Sequence, residues 1–237
     1  MKRSQLQELR KELAIALMND GAILTRDSDH PRVVMRGSER GFRLKLHEKH
    51  PEAPLSPFFL NLRTPDNPNV GPLTPSTVTL AARCMAEMIK EMEILCDAIA
   101  GIPNAGDPFA TALTELLPRT PRIEMFKEDL PDGKRRIAGL KYTGGLVQSH
   151  GTVLLIDDLV SAADSKVEAI KVLEGAGFKV FDVLVLVDRD QDGRQELASR
   201  GYMLHSVFDV YVLLGMYVAM GKLSMELSGV ITGYLKG

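Results

Sequence analysis

Apolar residues first recur at helical spacing: Leu6, Leu9, Leu13, Ala16 and Leu17 line one face, and Asn19-Asp20-Gly21 stops the helix. A second helix is predicted from about Ser76 to Cys96, started by Thr74-Pro75-Ser76 and carrying Leu80, Met85, Met88, Ile89, Met92 and Leu95. Between them, Ala22–Pro75 holds eight of the thirteen prolines and short alternations such as Gly41-Phe42-Arg43-Leu44-Lys45-Leu46, a pattern of short strands and ordered loops. The rhythm then becomes βα. Asp97–Gly101 reads as a strand, Ile102–Asp107 as a loop, Pro108–Leu117 as a helix and Arg122–Lys127 as a strand. Glu128–Arg136 is polar and reads as a mobile loop. Thr152–Ile156 and Val180–Val187 are continuous apolar runs separated by a helix over Ser165–Ala176. Tyr202–Ser206 is a last short strand, and Asp209–Lys236 is helical with Gly215, Gly221 and Gly229 as weak points. Buried runs alternating with helices predict an α/β fold, a mostly parallel sheet covered on both faces.

Composition narrows the class. The 237 residues carry 29 Lys+Arg against 31 Asp+Glu, so no global field exists for gripping nucleic acid or anionic lipid. An apolar share of 45% with 25% charged residues is that of a globular chain. Two cysteines cannot form a disulfide framework. Val207–Gly221, the longest nearly apolar run, is interrupted by Asp209 and is too short to span a bilayer. Met1–Asp20 reads as a charged amphipathic helix and not as a signal peptide. The expectation is a soluble cytoplasmic protein with neither nucleic acid nor membrane as a partner.

The stretch Gly151-Thr-Val-Leu-Leu-Ile-Asp-Asp-Leu-Val-Ser-Ala-Ala-Asp-Ser-Lys-Val-Glu-Ala-Ile170 holds the candidate chemistry. A buried strand ends in Asp157 and Asp158, a short loop follows, and a helix begins. Ligands of doubly wound sheets sit beyond the carboxyl ends of strands, and helix N-termini offer free N–H groups to anions. Asp157 and Asp158 can therefore hold hydroxyls or a hydrated Mg²⁺. Ser161, Ala162, Ala163, Asp164 and Ser165 can hold a phosphate through backbone N–H groups and hydroxyls. The same residues also read as a soluble loop followed by a capping box, Ser165-Lys-Val-Glu168. A Walker-type P-loop is excluded, because GxxxxGK[ST] is missing.

Strand–Asp–Asp–apolar pair–Ser–small loop–helix resembles the phosphoribosyl pyrophosphate (PRPP) signature of type I phosphoribosyltransferases. Leu186-Val-Asp-Arg-Asp-Gln-Asp-Gly-Arg194 followed by Gly201-Tyr-Met-Leu-His-Ser-Val-Phe208 resembles the orotate phosphoribosyltransferases, as does Phe42-Arg-Leu-Lys45 followed by Ser56-Pro-Phe-Phe-Leu-Asn-Leu-Arg63. The three blocks cover most of residues 40–215. The resemblance implies a central sheet flanked by helices with a small N-terminal hood, divided as helix and hood 1–75, core 76–215 and helical tail 216–237. It implies that orotate and PRPP give orotidine 5′-monophosphate and pyrophosphate with Mg²⁺, in a homodimer whose basic mobile loop covers the neighbour's site. Carried over, Asp157 and Asp158 meet the ribose, Ser161–Ser165 wrap the 5′-phosphate, and Lys45, Phe58, Phe59, Ser161 and Arg194 meet orotate. Lys127, Lys134, Arg135 and Arg136 belong to the closing loop, the first three with Asp157 and Asp158 as the catalytic set.

The chain departs from the family at Ala163 and Asp164, where a glycine and a threonine are usual, and at Phe126 and Leu130, where basic residues are usual. Ala105 stands where many relatives carry lysine. These changes keep two rivals open, a paralogue using another base and a non-catalytic protein binding PRPP or a nucleotide. A phosphoacceptor receiver is disfavoured, because about 150 residues precede the acidic pair. His47 and His50 read as a solvated loop, His205 as core or edge packing, Cys84 and Cys96 as small hydrophobes, and Leu213–Met225 as core or dimer surface.

Overall fold

The computed structural model describes residues 4–44, 46–131, 135–143 and 150–236. In chain order the elements are α1 (Gln5–Asn19), β1 (Ile23–Thr25), β2 (Val33–Arg36), β3 (Glu39–Phe42), α2 (Leu46–Lys49), β4 (Phe58–Leu60), α3 (Pro75–Glu91), β5 (Ala98–Gly101) and α4 (Asp107–Leu116). They continue as β6 (Arg122–Asp129), β7 (Arg135–Thr143), β8 (Thr152–Val160), α5 (Asp164–Gly175), β9 (Lys179–Asp188), α6 (Gly193–Ser199), β10 (Met203–Asp209), α7 (Val210–Ala219) and α8 (Met225–Lys236).

One sheet runs in the order β10-β9-β8-β5-β6-β7, parallel except for the antiparallel edge strand β7. From β5 the chain winds outward to β6, and from β8 it winds the other way to β9. The strand order thus reverses between β5 and β8, which opens a crevice at their carboxyl ends. Alternate residues of the central strands pack into two apolar layers. Leu154, Ile156, Leu184 and Leu186 join α1, α3, α4, α7 and α8 on one face, while Val153, Leu155, Val183 and Val185 join α5 and Leu197 of α6 on the other. This two-sided burial is why those strands read as unbroken apolar runs.

Residues 22–73 form the hood, from the pairs β1–β4 and β2–β3. It is tied to the core through Ala22, Phe58, Leu62 and Leu73, which join the apolar cluster on one face of the sheet, and a polar contact holds its two flanks together. Thr74 caps α3 by accepting from Thr77 N–H, and its own N–H donates to Asp20 Oδ2 at 2.9 Å, joining the end of α1 to the start of α3. Tyr217 donates to Ala14 O at 2.9 Å, so the tail packs on the N-terminal helix. α7 runs across the expected boundary at 215/216, and one apolar cluster takes residues from all three expected segments.

Several local expectations are corrected. Glu128–Arg136 is not a simple loop: β6 continues to Asp129 and β7 begins at Arg135, pairing Glu128 with Arg136 and Asp129 with Arg135. Opposite charges face each other across this edge hairpin, with Arg135 Nε 3.1 Å from Asp129 Oδ1, so a polar segment can hold strand pairing. α3 stops at Glu91 instead of Cys96, because Glu93 turns to φ 54°. Ser165 does not open α5. The helix starts at Asp164 without a side-chain cap, and Glu168 instead accepts from Ile137 N–H of β7 at 2.8 Å. α6 has no clear apolar period and was not foreseen. His205 is buried against Asp182 at 2.7 Å, as its packing role predicts.

Candidate active site

β8 delivers its two carboxylates to opposite faces. Asp157 follows the register of Val153 and Leu155 and is buried toward α5, where Lys166 Nζ lies 2.7 Å from its Oδ2. Lys166 is itself buried and also donates to Leu159 O and to Ser165 Oγ, which uses all three of its protons. Asp158 is half-buried and follows the register of Leu154 and Ile156 on the opposite face. Burial and the neighbouring Asp157 push its carboxyl above the ordinary range, while Lys166 and Arg63 oppose that shift.

The turn after β8 is held from below by the following βα unit. Arg189 N–H donates to Val160 O at 3.0 Å and Gly193 N–H to Ser161 O at 2.9 Å. A Cβ on Gly193 would lie 2.6 Å from Ser161 O, so only glycine lets α6 begin this close. Ser161 is half-buried, Ala162 exposed and Ala163 buried. Asp164 is exposed, which removes the direct conflict between its carboxylate and an anion in the turn. No side chain at the N-cap position caps α5, so the N–H groups of its first turn need acceptors from elsewhere.

A second turn, after β5, closes the other wall. Ile102 N–H donates to Ile156 O at 2.9 Å, and a Cβ on Gly106 would meet that same oxygen at 2.4 Å. Gly106→Ala is therefore expected to lower stability by about 1–3 kcal/mol through displacement of this turn. Urea unfolding checks it against Gly175→Ala, whose Cβ meets nothing within 4 Å. Asp107 follows the turn; burial pushes its carboxyl up to about 6 although Arg122 draws it down from 3.9 Å. Asp107 Oδ1 is buried without a hydrogen-bond partner. A cleft of about 490 Å³ lined by Thr64, Asn67, Asn104 and Asp107 adjoins this wall.

Lys127 continues the inward alternation of Ile123 and Met125 along β6, beside a bulge that leaves Ala138 of β7 out of register. Burial lowers its pKa, and Asp157, Glu168 and Asp107 pull it back up. Arg135 stays on the edge hairpin with Asp129. Lys45 and Lys134 lie outside the described residues.

The two hood phenylalanines diverge. Phe58 is buried with the Arg189 guanidinium 5.1 Å from its ring centre, whereas Phe59 stacks on Phe42 at 5.7 Å and carries Arg32. Arg189 Nε is buried without a hydrogen-bond partner, and burial lowers the guanidinium's pKa. Arg194 sits elsewhere. It bonds Asp188 Oδ2 through Nε at 3.0 Å and Nη2 at 2.8 Å, and it donates to Leu204 O at 2.7 Å. Of the two arginines in the Leu186–Arg194 block, the structure thus brings Arg189, not Arg194, to Phe58. Lys166 and Asp107 were also not singled out from the sequence. Only their tertiary partners separate them from ordinary surface residues.

A reversed strand order with an acidic strand end just before a helix is the arrangement expected of the type I phosphoribosyltransferase fold. No family model matches the chain. Uridine 5′-monophosphate synthase from Bos taurus is 32% identical over 172 residues, covering 72% of this chain and 33% of that protein. Orotate phosphoribosyltransferase from Aquifex aeolicus is 30% identical over 140 residues, covering 57% of this chain and 72% of that protein. The solved UMP synthase of Leishmania donovani superposes with a TM-score of 0.69 at 26% identity, covering 95% of this chain and 42% of the other. The chain belongs to the orotate phosphoribosyltransferase family, and it spans about a third of the length of the UMP synthase from cattle.

Proposed function

We propose that this protein transfers the 5-phosphoribosyl group of PRPP to orotate, giving orotidine 5′-monophosphate and pyrophosphate in pyrimidine biosynthesis. The observation that carries the reading is the reversal of strand order between β5 and β8, which places the 102–106 turn, Asp158 and the start of α5 at adjacent strand ends, with the Arg189–Phe58 pair just beyond the end of β9. The α5 amides with Ser161 and Ser165 hold the 5′-phosphate, and Asp158 accepts from a ribose hydroxyl. Arg189 meets the orotate carboxylate above Phe58. The bond from the anomeric carbon to pyrophosphate breaks, a bond to a ring nitrogen of orotate forms, and positive charge develops on the ribose between them. The protein's contribution is orientation, charge neutralisation and exclusion of water.

Mg²⁺ belongs to this proposal. Among the described residues no group of three or more His, Cys, Asp or Glu side chains could hold a metal alone. The donor set instead fits an ion carried by the substrate's phosphates and met by one or two carboxylates. With Asp157 turned to Lys166, Asp158 is the carboxylate left for that contact. The bound ion would neutralise the departing pyrophosphate. A homodimer in which the basic segment carrying Lys127, Lys134, Arg135 and Arg136 covers the neighbour's site, and a cytoplasmic location, complete the proposal. No helix among the described residues is long and apolar enough to cross a membrane.

Orotate consumption and pyrophosphate release with PRPP and Mg²⁺ test the reading, and both should proceed in equal amounts. Release with another base and none with orotate would replace it by the paralogue reading. Asp158→Asn is expected to weaken PRPP binding about tenfold or more, as the loss of a hydrogen bond to a charged acceptor implies. Its urea midpoint should stay near that of the parent chain.

A further inference from the structure

Ala163 is buried at the start of α5, where its N–H would otherwise be an unsatisfied donor. In the described structure that N–H points at Glu196 Oε2 of α6, 3.4 Å away. α6 is brought there by Gly193, whose N–H is bonded to Ser161 O. The other oxygen of Glu196 accepts from Arg200 Nη2 at 3.0 Å, one turn further along α6. The carboxylate is only part-buried and the arginine is half-exposed, so one conformation of Glu196 spans the turn and a surface cation, with solvent open beside it.

We infer that Glu196 is an internal anion occupying the phosphate turn, and that it sets the protein's affinity for the 5′-phosphate of its substrate. The inference rests on the phosphoribosyltransferase reading, since it concerns the anion that the turn accepts. A phosphate bonded to Ala163 N–H and the Glu196 carboxylate cannot both lie within hydrogen-bond reach of one proton, and their like charges repel. Phosphate therefore binds the fraction of molecules in which Glu196 has swung off Ala163 N–H toward solvent, and apparent affinity is reduced by that fraction. In the ligand-free protein the same contact satisfies the buried Ala163 N–H. Glu196 is thus a positioning residue that tunes ligand affinity and takes no part in bond making.

Calorimetric titration of the full chain with ribose 5-phosphate tests this, with PRPP and Mg²⁺ as a second titrant. Glu196→Gln and Glu196→Ala should each bind ribose 5-phosphate about five- to tenfold more tightly than the parent chain. Arg200→Ala leaves the Glu196 carboxylate on the turn without its neutralising cation and should bind it more weakly. Opposite signs are the signature, because a purely structural contact would weaken binding in every variant. Unchanged or weaker binding by both Glu196 variants overturns the inference while leaving the family reading intact. No binding of either titrant by the parent chain or any variant removes the phosphate turn itself, and the inference falls with it.

Discussion

Lys166→Met is expected to lower the unfolding free energy by about 3–5 kcal/mol, because it leaves the Asp157 carboxylate buried without its cation. The pair is 2.7 Å apart, with both side chains almost fully removed from water. Methionine has a similar volume, so packing changes little and the charge carries the effect. At about 2–4 °C per kcal/mol for a chain of this size, the melting temperature should fall by roughly 10 °C. Adding Asp157→Asn removes the orphaned charge, and the double variant should recover much of the loss. Urea unfolding of the two single variants and the double variant measures the coupling. A loss below about 1 kcal/mol in Lys166→Met would mean that water reaches the pair, as at an exposed ion pair.

This pair also shows which parts of the site could be read along the chain. Thr152–Ile156 and Val180–Val187 were readable as central strands because both faces are covered and every position is apolar. Asp157 and Asp158 stood out because they end such a run immediately before a helix. β7 was not readable in the same way. It lies at the sheet edge, and its first residues are charged, with Arg135 and Arg136 facing Asp129 and Glu128 of β6. Lys166 carries no local mark of burial, since a lysine in the first turn of an amphipathic helix is ordinarily solvated. Its role follows from the close approach of α5 to the end of β8. Ser165 and Glu168 satisfied the pattern of a capping box, yet β7 supplies Glu168 with a competing N–H donor. Local chemistry proposed the cap and tertiary pairing withdrew it. Similarly, Asp164, the carboxylate nearest the turn along the chain, is exposed to solvent, while Glu196, thirty-two positions further on, supplies the anion that does touch the turn.

Arg189 and Arg194 show the same principle on the substrate side, and their alanine variants should separate cleanly. Both lie in one family-like block, and spacing alone offers no preference between them. Arg194 is already bound to Asp188, a carboxylate only 2% exposed, and to a backbone carbonyl. Arg194→Ala strands that carboxylate, so its main effect should be on stability, by about 2–3 kcal/mol. Arg189 instead presents a buried Nε without a partner beside the Phe58 ring, a donor that a planar anionic substrate can satisfy. Arg189→Ala is expected to raise KM for orotate about a hundredfold, the equivalent of roughly 2.7 kcal/mol, while KM for PRPP changes little. Steady-state kinetics with each substrate varied in turn, beside urea unfolding of both variants, resolves the two roles. A larger rise in orotate KM for Arg194→Ala than for Arg189→Ala would return the orotate contact to Arg194, and equal effects on both substrates would place neither arginine at the base.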